Sequence, residues 1–173
     1  MWPISLGQAW TERCSLAVLA NRMDVRQTLL AVIHGSIDTE MFMHITILGR
    51  NQSHQTLRDE SIGGCYFVCF VLRGFHLISS VRLTTSGIKR NLQRTGWKQF
   101  SNPAYYAPGT VIVWETLSNT DIVHQRVGFS VGNGEAISTN IGGIPRRHDI
   151  GLDSNHCVRT SYVHPLLHSD MDL

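Results

Sequence analysis

Cys65 follows a Ser61-Ile62-Gly63-Gly64 turn and opens an apolar run ending at Leu72. A thiol with an ordinary pKa of about 8.5 is mostly protonated at neutrality. At the start of a helix it would meet free N–H donors and partial positive charge, which favour the thiolate. A thiolate so placed attacks an amide carbonyl when a histidine takes and returns the proton. The backbone N–H of Cys65 would serve as an oxyanion donor, and Gly63 and Gly64 would let substrate approach the backbone closely. The bland alternative is a small buried apolar residue, the commonest fate of a free cysteine. Cys69, one turn further on, reads as core.

Candidate partners lie downstream. His124 and Arg126 are two apart in a strand-like run, so they share a face about 6.5–7 Å from each other. Ser138, Thr139 and Asn140 alternate along the next run, and Ser138 or Asn140 can supply the polar residue that fixes a histidine's tautomer. Trp114 could line a substrate groove, as could Trp97, although core packing suits both. His148, after Pro145-Arg146-Arg147, reads as a solvated loop histidine near the cleft mouth. The four cysteines form no CxxC pair and the nine histidines form no HExxH, so no metal or other cofactor is expected.

These residues need elements to hold them. The apolar spacing from Ser15 to His34 predicts a helix ended by Gly35. Asp38 to Leu48 fits either a helix start or a strand, and Gly49 to Glu60 reads as a polar loop. Cys65 to Gly74 reads as a buried helix, though its aromatic and β-branched content also suits a strand. Thr84 to Trp97 predicts a second helix, with Thr85 or Ser86 as N-cap and Gly96 as its end. Asn102, Pro103, Pro108 and Gly109 mark turns. Thr110 to Glu115, the run from Val123 to Asn133, and Glu135 to Asn140 read as three strands of an antiparallel meander, the last two joined at Gly132-Asn133-Gly134. A helix followed by a meander is an α+β arrangement.

In that order these local sequences resemble the papain-like cell-wall amidases and peptidases of the NlpC and CHAP type. The resemblance rests on Gly63-Gly64-Cys65-Tyr66-Phe67-Val68, on Pro108-Gly109-Thr110-Val111-Ile112-Val113-Trp114, and on Val127-Gly128-Phe129 with Gly132-Asn133-Gly134. It covers about 85 residues, roughly half the chain. It implies a buried N-terminal helix carrying the cysteine, packed on the meander, and a cysteine amidase or endopeptidase acting on peptidoglycan peptides. Cys65, His124 and Asn140 would be catalytic, and Gly64, Trp114, Arg126 and Ser138 would bind substrate. The pattern departs at Arg126, which stands where the family has its histidine, and at Thr110, where the strand usually opens with Asp. A guanidinium cannot shuttle a proton. Two expectations therefore stand side by side: His124 serves as the base, or the domain is catalytically inactive and binds cell-wall fragments or a protein partner. An acyltransferase on the same scaffold is not separable from a hydrolase by sequence.

Composition bounds the rest. The chain has 173 residues and 42% apolar content, enough for one sizeable core. The expected division is a helical or irregular segment over 1–60, the papain-like domain over 61–150 and a polar, weakly ordered tail over 151–173. The net charge is +2, and Lys89, Arg90, Arg94 and Lys98 read as a solvated helix face, so no nucleic-acid partner is expected. Neither a signal peptide nor a membrane span is visible, which makes a cytoplasmic location the default expectation.

Overall fold

A computed structural model describes residues 25–40, 42, 60–101, 106–116, 124–140, 142–153 and 155–168. Cys14, the expected helix before residue 25, and most of the undecided segment up to Leu48 lie outside these residues. So do the polar stretch over 49–59, the Asn102-Pro103 turn and residues 117–123.

Among the described residues, three helices lie on one face of a six-stranded sheet. The helices are α1 (residues 25–35), α2 (Glu60–Gly74) and α3 (Thr85–Arg94). The strands are β1 (Lys98–Phe100), β2 (Val111–Thr116), β3 (Gln125–Gly132), β4 (Glu135–Thr139), β5 (Pro145–Asp149) and β6 (His156–Val163). Their order is β1-β6-β2-β3-β4-β5, with every neighbouring pair antiparallel. The protein is therefore α+β, and the expected meander is β2-β3-β4. Among the described residues no helix is long and apolar enough to cross a membrane.

Local chemistry explains the main boundaries. Thr84 caps α3 one residue before the expected cap, its hydroxyl accepting from Gly87 N–H at 3.2 Å. Pro108 and Gly109 occupy the middle of a turn closed by Thr110 N–H on Ala107 O at 3.1 Å, and Gly109 has φ of +90°. Asn133 and Gly134 both have positive φ, 54° and 77°, the two-residue geometry that matches the twist of a hairpin.

Two departures from expectation matter for the site. The segment read as a weakly ordered tail contains β6, which lies between β1 and β2. Arg159 is the extra residue of a bulge there, because Val113 pairs with Thr160 while Trp114 pairs with Val158. The loop assigned to His148 is β5, an edge strand whose Arg146 and Arg147 discourage pairing with another chain.

Side-chain alternation divides the sheet into two faces. Val111, Val113, Val127, Phe129 and Ile137 join α1, α2 and α3 in the main core, together with Cys65, Phe67, Leu72, Ile88 and Leu92. Ile112, Trp114 and Ala136 form a smaller cluster on the other face, covered by Tyr106, Ile150, Leu152 and Val158. Gly128 is required where β3 meets β4, because a Cβ there would overlap Ile137 O and lie 2.8 Å from Ser138 Cβ. Gly128→Ala is expected to cost roughly 2–3 kcal/mol or more in chemical denaturation. Gly35→Ala, with nothing within 4 Å of the added carbon, is expected to be neutral or stabilising.

Candidate functional site

Cys65 does not open its helix. It lies five residues beyond Glu60, the first residue of α2. Only the first four N–H groups of a helix lack an internal acceptor, so the N–H of Cys65 is taken up in the helix ladder and is no oxyanion donor. The dipole of α2 is likewise spent within its first turn.

The side chain is 0% exposed and belongs to the main core. Its Sγ lies 3.7 Å from Thr85 Oγ1, at the start of α3. Full burial denies the sulfur a substrate. Cys69 is equally enclosed: its Sγ accepts from Arg82 N–H at 3.3 Å and faces Arg82 O at 3.4 Å. Burial pushes its pKa up to about 11.

The glycines before Cys65 serve packing. A Cβ on Gly64 would stand 3.0 Å from Val127 O, and one on Gly63 would stand 3.0 Å from Gly143 Cα. The space expected for a substrate beside Gly64 is therefore filled by β3, β4 and the turn after them.

The expected partners fall elsewhere. Val127 and Phe129 face the helices, so Arg126 before them projects to the opposite side of the sheet. His124 is exposed just before β3, its backbone O accepting from Thr116 N–H at 3.0 Å. Asn140 follows β4 and closes a turn: its Oδ1 accepts from Ile144 N–H at 3.1 Å, and its backbone N–H donates to Ile144 O at 2.9 Å. Neither residue extends from the helix-bearing face towards Cys65 as a base and its orienting group would.

What the fold does bring together is on the second face. Trp114 pairs with Arg126 in register, and Gly128 pairs with Ser138. Ser138 Oγ lies 2.8 Å from His148 Nε2, and His148 Nδ1 lies 2.7 Å from Asp149 O. A carbonyl only accepts, so Nδ1 carries the proton and, in the neutral ring, Nε2 accepts from the serine hydroxyl. The Trp114 ring meets the His148 ring edge-on at 5.5 Å and donates Nε1–H to Ile150 O at 2.7 Å.

This pair has the form of a nucleophile and base but not their surroundings. Ser138 is 1% exposed in mid-strand, paired with Gly128 on one side and Arg146 on the other. Ladder pairing occupies the backbone donors that an oxyanion would need. The bond instead ties β4 to β5 beneath Trp114, and Trp114 is core as its fully buried ring requires.

The sequence named Ser138 and His148 separately. Their meeting depends on the β4–β5 register, for which the sequence holds no short-range signal. Arg126 adds positive charge near His148, and Asp153 is hydrogen-bonded to His156, the two atoms 2.7 Å apart.

No protein-family model matches the chain, and no curated protein matches it significantly.

His34, His148 and His164 have depressed pKa values. Burial is the largest cause for His148, His164 and His34, with Arg126 adding to it at His148 and Arg147 at His34. His164 packs edge-on against Trp97 at 5.1 Å, and its Nδ1 accepts from Leu166 N–H at 3.2 Å. The unfolded chain binds these protons more readily, so the stability they confer is full above the unfolded pKa of about 6.5 and is lost as pH falls below it. Urea midpoints are expected to drop between pH 7.5 and pH 5, and to drop less in His148→Gln than in the parent chain. A midpoint that rises on acidification would contradict the assignment.

Proposed function

We propose that this domain is a papain-like scaffold that binds without cutting, with cell-wall fragments as the ligand class implied by its sequence resemblance. The order of elements supports the scaffold: a helix carrying Cys65 packs on the β2-β3-β4 meander, with turns at Pro108-Gly109 and Asn133-Gly134.

One observation carries the absence of turnover. Cys65 is sealed among helix-side core residues, while Arg126 projects from the other face of β3 and His124 is exposed before that strand begins. A cysteine amidase needs its thiolate and imidazole in hydrogen-bond reach of each other and of a carbonyl. A guanidinium in place of an imidazole also cannot take and return the proton.

The test is amine release from a soluble muropeptide, followed beside binding of the same muropeptide by nuclear magnetic resonance. The folded chain and its Cys65→Ala variant are expected to release amine equally slowly, at the uncatalysed rate, while both show saturable shifts. Arg126→His is expected to add no turnover, because the new imidazole stands on the face away from Cys65. Release that Cys65→Ala abolishes would overturn the reading in favour of a working amidase.

A further inference from the structure

The cations that resemble a solvated helix face occupy a defined place in the fold. Ser86, Lys89, Arg90 and Gln93 follow i, i+3, i+4 and i+7 spacing on α3 and form one wall of an open groove of about 500 Å³. The other wall is Gln99 of β1 with Thr160 and Tyr162 of β6, and Gln99 stands opposite Tyr162 in register.

Cations predominate on the elements that line this groove. The three elements that build it carry Lys89, Arg90, Arg94, Lys98 and Arg159, and no aspartate or glutamate. Glu115, on neighbouring β2, is engaged by Gln125 Nε2 at 2.6 Å and by Arg159 Nε at 3.4 Å. Lys89 Nζ donates to Gln125 Oε1 at 3.3 Å, and burial lowers its pKa against the opposing pull of Glu115. Arg90 makes no hydrogen bond or ion pair with a described residue.

The remaining lining is amides and hydroxyls held in order. Gln99 Oε1 accepts from Gln93 Nε2 at 2.8 Å and from Tyr162 OH at 3.4 Å, which leaves the Gln99 amide hydrogens for a ligand. Tyr162 is 1% exposed, so its ring offers no platform for stacking a nucleobase. Paired cations beside ordered amides and hydroxyls match a ligand with an oxyanion and several hydroxyls.

We propose that this groove binds an acidic oligosaccharide, with its carboxylate or phosphate on Lys89 and Arg90 and its hydroxyls along Gln93, Gln99 and Thr160. The inference rests on the binding reading of the domain, and its test is separate from the amine-release assay.

The test titrates the full chain with trigalacturonate, its neutral methyl ester and glucose 1-phosphate, read by calorimetry. Trigalacturonate or the sugar phosphate is expected to bind saturably, and whichever binds tighter identifies the source of the oxyanion. Removing both cations in Lys89→Gln with Arg90→Gln is expected to weaken that binding roughly tenfold or more. Arg146→Gln with Arg147→Gln removes the same charge from β5, at the far edge of the sheet, and is expected to leave binding unchanged. The methyl ester is expected to bind roughly tenfold more weakly than trigalacturonate if carboxylate is the anchor. No saturable binding by either acidic probe, or equal losses in the two double variants, would overturn the proposal. Displacement by a single-stranded oligonucleotide at lower concentration than the glycan would also overturn it, since the ligand class would then be wrong.

Discussion

The close approach of α2 to the sheet is the contact on which the rest of the structure depends. Gly63 and Gly64 have no side chains, so the helix backbone comes against Val127 O, the Thr139 hydroxyl and Gly143 Cα. With the helix so close, Phe67 packs edge-on against Phe129 at 5.6 Å, and Cys65 turns into the core beside Thr85. The glycine pair that looks like room for a substrate is the means by which the helix closes onto the strands. Interiors packed this tightly leave no space for a reacting group.

Strand alternation then separates the chemistry. The helix-side face receives the thiols, and the opposite face receives Arg126, Ser138 and His148. The polar groups of the second face satisfy one another beneath Trp114, so that layer serves cohesion. The exposed cationic surface lies instead near the β1 edge, where residues of α3, β1 and β6 line the groove. Binding there is compatible with a sealed cysteine, because the groove requires no reactive group.

Much of the scaffold was legible in the sequence. The helix at Cys65, the α3 helix and the β2-β3-β4 meander follow from glycine and proline punctuation and from short β-branched runs, features that act over a few residues. β6 was not legible. Its Arg159, Thr160 and Ser161 look like tail residues, yet Arg159 sits in a bulge, Thr160 borders the groove, and Ser161 Oγ lies 3.5 Å from Phe100 O. β5 was hidden by Pro145 and two arginines, which suit an edge strand and mask alternation. The site was harder to read than the fold. Whether Cys65 opens α2 or lies inside it depends on where the helix begins, and a shift of one turn converts a nucleophile position into core. The Ser138–His148 bond depends on strand register, and the groove joins residues from Ser86 to Tyr162.

Cys65 is a packing residue, and thiol reactivity in the folded chain separates that role from a nucleophile's. Alkylation with iodoacetamide at pH 7, followed residue by residue by mass spectrometry, separates the possibilities. The half-buried Cys157 should react ahead of Cys65 and Cys69, which stay slow until denaturant is added. Preferential, rapid labelling of Cys65 in the folded chain would contradict the account and restore it as a nucleophile.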